Sequence, residues 1–303
     1  MKRLTLFFSC FPLLLSAQYH FNFEDSTLHH WEQFPPGRWI ISGYQPVSGN
    51  YSLHHGFDNS ESGCDMISFF YDPPVLADTL MLSFRIRHAY NPSSANNWQV
   101  SIFNTPDSSL FAESRLSDGI YFGVNLKGSD DLVTLWKVAE GNIEELLKTA
   151  INYQEMIGVL NAPCFKLVRS PDGKWEVLYN SEGDEDELIS AGVSGPANVT
   201  TGRCFLLRYA YSSSQDKKLW LDDLHLDGTF VCDKSPPCVI KILPTGLKEL
   251  VIEFDEPVRL NHQSAFFLNE VQNYDTLKID DNRISLTFEY PFINRTEHSL
   301  NIK

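Results

Sequence analysis

Basic side chains are scarce in this 303-residue chain: 24 Lys and Arg stand against 39 Asp and Glu, a formal charge of −15. Phosphate-backbone binding needs clustered Lys and Arg to release counterions, so the balance argues against nucleic acid as a partner. Spaced catalytic and metal motifs are missing as well. There is no His-Glu-x-x-His, no Cys-x-x-Cys and no glycine-rich phosphate loop. Gly192-Val193-Ser194 runs into Gly195-Pro196, which breaks the Gly-x-Ser-x-Gly of a nucleophile elbow. The histidine pairs His29-His30 and His54-His55 are sequence neighbours. Neighbours on a strand point to opposite faces, so neither pair can easily share one metal. Past the first residues, no stretch approaches the ~20 apolar residues of a spanning helix. Helical patterning is thin too: the best candidate, 143–155, contains two isoleucines and no clean 3.6-residue stripe.

What is present is the composition of a globular protein, 43% hydrophobic and 21% charged. Lys2 and Arg3 precede an almost unbroken apolar run over 4–15, and Leu15-Ser16-Ala17 then offers small residues. That pattern predicts a secretory signal peptide, 1–17, cleaved after Ala17. The run contains Pro12 and is too short to cross about 30 Å of hydrocarbon. Cys10 lies inside it rather than after it, which argues against a lipid-modified cysteine. The expected product is exported, acidic and without a transmembrane segment.

Beyond the leader, the period is that of strands. Leu80, Leu82, Phe84 and Ile86 alternate with Met81, Ser83, Arg85 and Arg87; Trp98, Val100 and Ile102 alternate with Gln99 and Ser101. The same period recurs over 120–124, 132–138, 165–168, 175–179 and 205–211. Such alternation gives one set to a core and the other to water or a second sheet. Turn clusters such as Asn91-Pro92-Ser93-Ser94 and Ser170-Pro171-Asp172-Gly173 separate the runs. Many short strands with little helix predict an all-β fold, a sandwich or jelly roll, over 18–228. Cys232 to Cys238 encloses Pro236-Pro237, which marks 229–238 as a linker. Alternation resumes over 239–303, a length short of the ~100 residues of an Ig-like sandwich. The expectation there is an interrupted Ig-like domain whose last strand, with Leu300 and Ile302 on one face, lacks a partner.

Several motifs carry a resemblance. Phe21-Asn22-Phe23-Glu24-Asp25, Trp31, Arg38-Trp39, Ser48-Gly49-Asn50-Tyr51-Ser52-Leu53-His54-His55, Asn96-Asn97-Trp98 and Ser212-Ser213-Ser214-Gln215-Asp216 precede Leu219-Trp220-Leu221-Asp222-Asp223. Together they resemble the N-terminal jelly-roll (concanavalin-like) module of secreted bacterial lamin-tail-domain proteins. The stretch is also similar to carbohydrate-binding jelly rolls, which open on a Phe-Glu-Asp strand and close on an apolar-Asp-Asp-apolar strand. Pro236-Pro237, 250–254 and Glu256-Pro257-Val258 resemble a bacterial Ig-like domain. The resemblance implies a secreted or cell-surface protein of a Gram-negative bacterium. It departs from those larger proteins in showing no lamin-tail domain and no sorting segment.

Jelly rolls of this type bring the first and last strands together, where carboxylates can hold calcium. The resemblance therefore implies a structural Ca2+ set of Glu24, Asp25, Asn50 and Asp222, since calcium takes six to eight hard oxygens. The bland alternative makes Glu24 and Asp25 turn residues and Asp222-Asp223 a solvated strand end. Glu182-Gly183-Asp184-Glu185-Asp186-Glu187 contains the Glu-x-Asp-x-x-Glu spacing of one jelly-roll glycanase family. It lacks intervening apolar residues, so a solvated hairpin tip is the better reading. For a sugar, the loop with His88, Tyr90, Asn97 and Trp98 concentrates aromatics and amides, although parity draws Tyr90 and Trp98 toward the core. Cleavage leaves an odd five cysteines; Cys232 and Cys238 flank the prolines and are the disulfide candidate, while Cys164 and Cys204 suit buried small hydrophobes. The function expected is a non-catalytic binding or adhesion module for carbohydrate or cell-surface components. A glycan hydrolase using 182–187 and a structural spacer are the alternatives.

Overall fold

The computed structural model describes residues 14–104, 116–199, 202–231, 237–256, 258, 266–268, 274–280, 282–292 and 300–302. Two compact units divide at Asp233 and Lys234. In chain order the strands of the first unit begin with β1 (Leu14–Phe21), β2 (Trp31–Phe34), β3 (Trp39–Ser42), β4 (Ser52–His55) and β5 (Gly63–Phe70). Then come β6 (Leu80–His88), β7 (Asn97–Asn104), β8 (Gly119–Val124), β9 (Leu132–Ala139) and β10 (Asn142–Asn152). The unit closes with β11 (Cys164–Arg169), β12 (Trp175–Asn180), β13 (Ile189–Val193), β14 (Cys204–Tyr211) and the long β15 (Leu219–Val231).

They form two antiparallel sheets. One runs β13-β12-β11-β6-β15-β4-β3 with β1 added on β15; the other runs β10-β9-β8-β7-β14-β5-β2. This is the all-β jelly-roll sandwich that the alternation predicts. Its core lies between the sheets: Leu80, Leu82, Phe84 and Ile86 of one meet Trp98, Val100, Phe122 and Leu207 of the other. The aromatic rings of Phe84, Trp98, Phe122 and Phe165 pack with centroids 5.1–6.3 Å apart, within the range of favourable tilted and edge contacts.

The helical candidate 143–155 is instead mostly strand. β10 pairs with β9 up to Asn152↔Leu132, and only one short turn, Tyr153–Ile157, follows. Its isoleucines suit a pleated surface, and Tyr153 and Ile157 bury themselves in the core. β1 begins at Leu14, so its pairs Leu14↔Val231 to Ala17↔Gly228 involve the segment expected to be removed. A chain cut after Ala17 keeps Gln18↔Asp227 to Phe21↔Leu224.

In the second unit, β16 (Val239–Pro244), β17 (Glu249–Phe254), β18 (Phe266–Leu268), β19 (Tyr274–Asp280), β20 (Arg283–Phe288) and β21 (Leu300–Ile302) follow. A four-stranded sheet, β16-β17-β20-β19, buries Leu250, Ile252, Phe254, Ile284, Leu286 and Phe288. β16 is an edge strand exposed along its length. β21 pairs with β18 in a two-stranded sheet, Leu300 opposite Leu268. Cys232 lies outside the described residues, so its pairing with Cys238 is not placed. Cys164 and Cys204 are fully buried.

The loops at one end of the sandwich are joined by an amide. Asn96 Oδ1 accepts from the Ser212 backbone N–H at 2.9 Å and its hydroxyl at 3.0 Å, and Asn96 Nδ2 donates to Ser93 Oγ. N96A should therefore lower unfolding free energy by about 1–3 kcal/mol, because it strands donors at a buried position. N91A, at an exposed position of the same loop, should stay within about 0.5 kcal/mol. Urea unfolding midpoints distinguish the two; equal midpoints would contradict the stitch.

Candidate functional site

The residues expected to hold calcium are placed close to each other in part, but they do not make a cation cage. Glu24 Oε1 accepts the backbone N–H groups of Asn50 (2.7 Å) and Tyr51 (3.1 Å), while Oε2 accepts Asn50 Nδ2 at 3.1 Å. The Asn50 amide, then its side chain and the Tyr51 amide, hold the Glu24 carboxyl below its ordinary range. Asp25 turns onto its own loop, accepting from Thr27 N and Oγ1. Asp222 Oδ2 accepts Ser52 Oγ at 2.6 Å and Ser48 N at 3.1 Å, and Oδ1 accepts Asp223 N at 2.9 Å. Each of these carboxylate oxygens accepts at least one hydrogen bond from within the fold. Among the described residues, no group of three or more His, Cys, Asp or Glu is arranged to hold a metal. Hydrogen bonds therefore tie the segment 48–52 to the turn that follows β1 and to β15.

Two observations sharpen this clamp. Gly49 has φ +52°, and a Cβ there would sit 2.2 Å from Glu24 Oε1. Asp222 is fully buried, and burial pushes its carboxyl up to about 6 despite the Ser52, Asp223 and Ser48 donors.

The sugar candidates are scattered rather than joined. Trp98 is fully buried in the core, as parity requires. His88 is buried too, against Tyr153 and Tyr209, and desolvation pulls its pKa down to about 3. Tyr90 is 38% exposed on the loop after β6. Asn97 faces away from the core, but its Nδ2 donates to Ser93 O and Ser94 O. A ligand thus finds no ready aromatic-amide surface there; Asn97 positions its neighbours. The acidic residues 182 and 184–187 are exposed between β12 and β13, and Asn180 Oδ1 receives the Glu182 and Asp184 N–H groups. Carboxylates on an exposed hairpin tip lack the apolar burial that raises an acid's pKa for glycoside cleavage.

A different cluster emerges on the outer face of the seven-stranded sheet, the face turned away from the core. β7 and β8 are buried on both faces. Outward-pointing Met66, Tyr121, Trp136, Val138 and Leu206 form a second apolar cluster, with Phe34, Leu116, Leu126 and Ile143 packed on it. Beside it stands half-buried Arg208. One terminal nitrogen of Arg208 donates to Gln99 Oε1 at 2.7 Å and to Asn97 Oδ1 at 3.0 Å. Gln99 Nε2 in turn donates to Asn97 Oδ1 and to Val124 O. Both amides are thus locked by the fold, and they lock the guanidinium. No Asp or Glu among the described residues forms an ion pair with Arg208. Its Nε is buried and meets no acceptor. Sequence reading passed over this residue because it sits in an apolar run, 205–211. The signal available was an arginine on the strand's non-core parity, alternating with Leu207 and Tyr209.

No family model matches the chain, and no curated protein does. The lamin-tail and Ig-like resemblances therefore rest on the quoted motifs. Solved structures that resemble it include the globular domain of T. cruzi calreticulin, at 14% identity and TM-score 0.48, covering 69% of this chain and 86% of that one. The Ca2+/Man2-bound exoplasmic/lumenal domain of VIP36 gives 12%, 0.48, 72% and 90%. A legume lectin-like domain from Entamoeba histolytica gives 7%, 0.45, 66% and 91%. At such distances no ligand or residue role passes from them to this chain. The class of protein is the one its own strands define: a jelly-roll sandwich followed by a smaller β unit.

Two measurements test the clamp. G49A should cost about 1–3 kcal/mol, since it combines left-handed backbone with a clash. For Asp222, the folded pKa of about 6 exceeds the ordinary 3.8. Between those values the folded chain keeps a proton that the unfolded chain has lost, so this group makes stability fall as pH rises. His54 and His88, whose pKa values burial lowers, act in the opposite direction at low pH. The comparison with D222N isolates the carboxyl: wild type should lose up to about 3 kcal/mol relative to the variant from pH 4 to 7. A difference that stays flat with pH would contradict a buried, titrating Asp222.

Proposed function

We propose that the chain is an exported, non-catalytic saccharide-binding module, and that its ligand meets the outer face of the seven-stranded sheet. The observation that carries this reading is the Arg208–Asn97–Gln99 cluster. It is a rigid polar group on a sheet face, near partly buried Phe34 and fully buried Met66, with a half-buried cation that has no carboxylate partner among the described residues. Rigid polar groups beside apolar surface are the composition of small-molecule sites, where few directed hydrogen bonds set orientation. Export rests on the charged start, the apolar run and the Leu15-Ser16-Ala17 exit. Among the described residues no helix is long and apolar enough to cross a membrane. The exposed position of 182–187 favours binding without turnover. The carboxylates of Glu24, Asp25 and Asp222 already accept hydrogen bonds within the fold, so this reading does not depend on calcium.

The full chain on a glycan array, with product analysis of every retained glycan, tests it. Retention of at least one glycan class, with Kd from about micromolar to millimolar and no new reducing ends, is expected. Release of shorter oligosaccharides would contradict the non-catalytic reading. Silence across the array would favour a structural spacer.

A further inference from the structure

Much of the outer face of the seven-stranded sheet is closed to solvent: Met66, Gln99, Tyr121 and Leu206 are all buried. The β2 end is open. β2 is the last strand of the sheet, and along it only Trp31 goes to the core; Glu32 is exposed, and Gln33 and Phe34 are half-buried. A shallow concavity of about 390 Å³ opens there, lined by Trp31, Glu32, Gln33, Phe34, Pro36 and Gly37. That volume falls within the about 300–1,000 Å³ of small-ligand clefts. Pro36 and Gly37 are exposed too, so solvent reaches the lining.

The walls are held by one side chain. Gln33 Nε2 donates to Trp39 O at 3.0 Å, and its Oε1 accepts the Arg38 and Trp39 N–H groups, both at 2.9 Å. Gln33 thus closes the turn 35–38 between β2 and β3. Phe34 packs on the outer apolar cluster, opposite Met66 of β5, and Glu32 shares its outward parity two residues away. No Lys, Arg or His among the described residues forms an ion pair with Glu32. Arg38, at the end of the turn, is committed to Asp65 at 3.7 Å and to the Phe57 ring. Arg208 stands two strands further in, about 10 Å across the sheet.

Resting on the saccharide-binding reading, we propose that the glycan enters that face through this concavity, and that Glu32 makes it select neutral over anionic glycans. Phe34 and Pro36 offer apolar surface to the C–H face of a pyranose ring. Sugar hydroxyls beside them donate to the Glu32 carboxylate in charge-assisted hydrogen bonds. A uronate or a sulfate brings a like charge to the same carboxylate, on a chain whose formal charge is already −15.

Calorimetric titration of the full chain tests this with oligomers of mannose, galactose and glucose, each beside its C6-oxidised form, the matching uronate. Oxidation keeps the rings and adds the charge, so this arm needs no variant. At least one neutral oligomer should bind, and its uronate at least about tenfold more weakly. E32Q should narrow that gap and weaken the neutral oligomer about tenfold, because it takes the charge from the acceptor. F34L, which keeps an apolar residue against Met66, should weaken it at least about threefold by removing the ring. Thermal melts matched to wild type show that neither loss is a loss of fold; should the F34L melt fall, E32Q, at an exposed position, carries the test alone. A uronate bound as tightly as its neutral oligomer, or more tightly, would overturn the selection by Glu32 while leaving saccharide binding intact. Neutral binding unchanged in both variants would overturn the placing of the ligand at β2. No saccharide bound at all would end both this proposal and the reading beneath it.

Discussion

Strand β15 has to keep Leu219, Leu221, Leu224 and Leu226 on one face although their parity changes half-way. It does so with a bulge. The register with β6 shifts between Asp222 and His225, and Asp223 takes φ +46°. All four leucines are then fully buried, and the two aspartates fall where the strand departs from its pleat. The rest of the eight-stranded sheet hangs on this strand, which pairs with β6, β4 and β1. Because Asp222 is turned away from the core and buried, it must find donors, and Ser48 and Ser52 supply them. Glu24 holds the other side of the same loop. Core packing on one face thus dictates the polar clamp on the other.

The same logic explains why the seven-stranded sheet carries the candidate site. Its central strands are buried on both faces, so its outward polar groups cannot turn to water and must satisfy each other. Asn97, Gln99 and Ser101 do so completely: Ser101 donates to Ile120 O at 2.7 Å, and Gln99 bridges to Val124 O. A network of this kind is rigid because every amide has its partner. Arg208 enters that network with one nitrogen and retains the rest of its guanidinium. Preorganised by neighbours that cannot move, it loses little freedom when a ligand arrives.

The sandwich itself was legible in the alternation, since the core residues of β6, β7, β8, β11, β12 and β14 follow period two. Burial on the second face was not legible. Gln99 and Ser101 look like solvent-facing residues, yet both are fully buried on the face that carries the outer apolar cluster. The Asp222-Asp223 pair was visible as a motif, and its ligand type suggested calcium. In the fold Ser48 and Ser52 donate to Asp222 and Asn50 donates to Glu24, and which donors reach a carboxylate depends on loop geometry that no spacing encodes. His88 shows the converse. Its aromatic company in sequence resembled a sugar platform, whereas strand parity sends its ring to the core beside Tyr153 and Tyr209.

Hydrogen exchange of the full chain with and without a bound glycan locates the ligand directly. Protection is expected in β7 and β14, around Gln99 and Arg208, on the outer face of the seven-stranded sheet. The other sheet offers a rival surface, where Tyr44 is 63% exposed and Tyr51 39% exposed near the His54–Trp220 stack. Protection confined to β3, β4 and that loop, with β7 and β14 unchanged, would contradict the account.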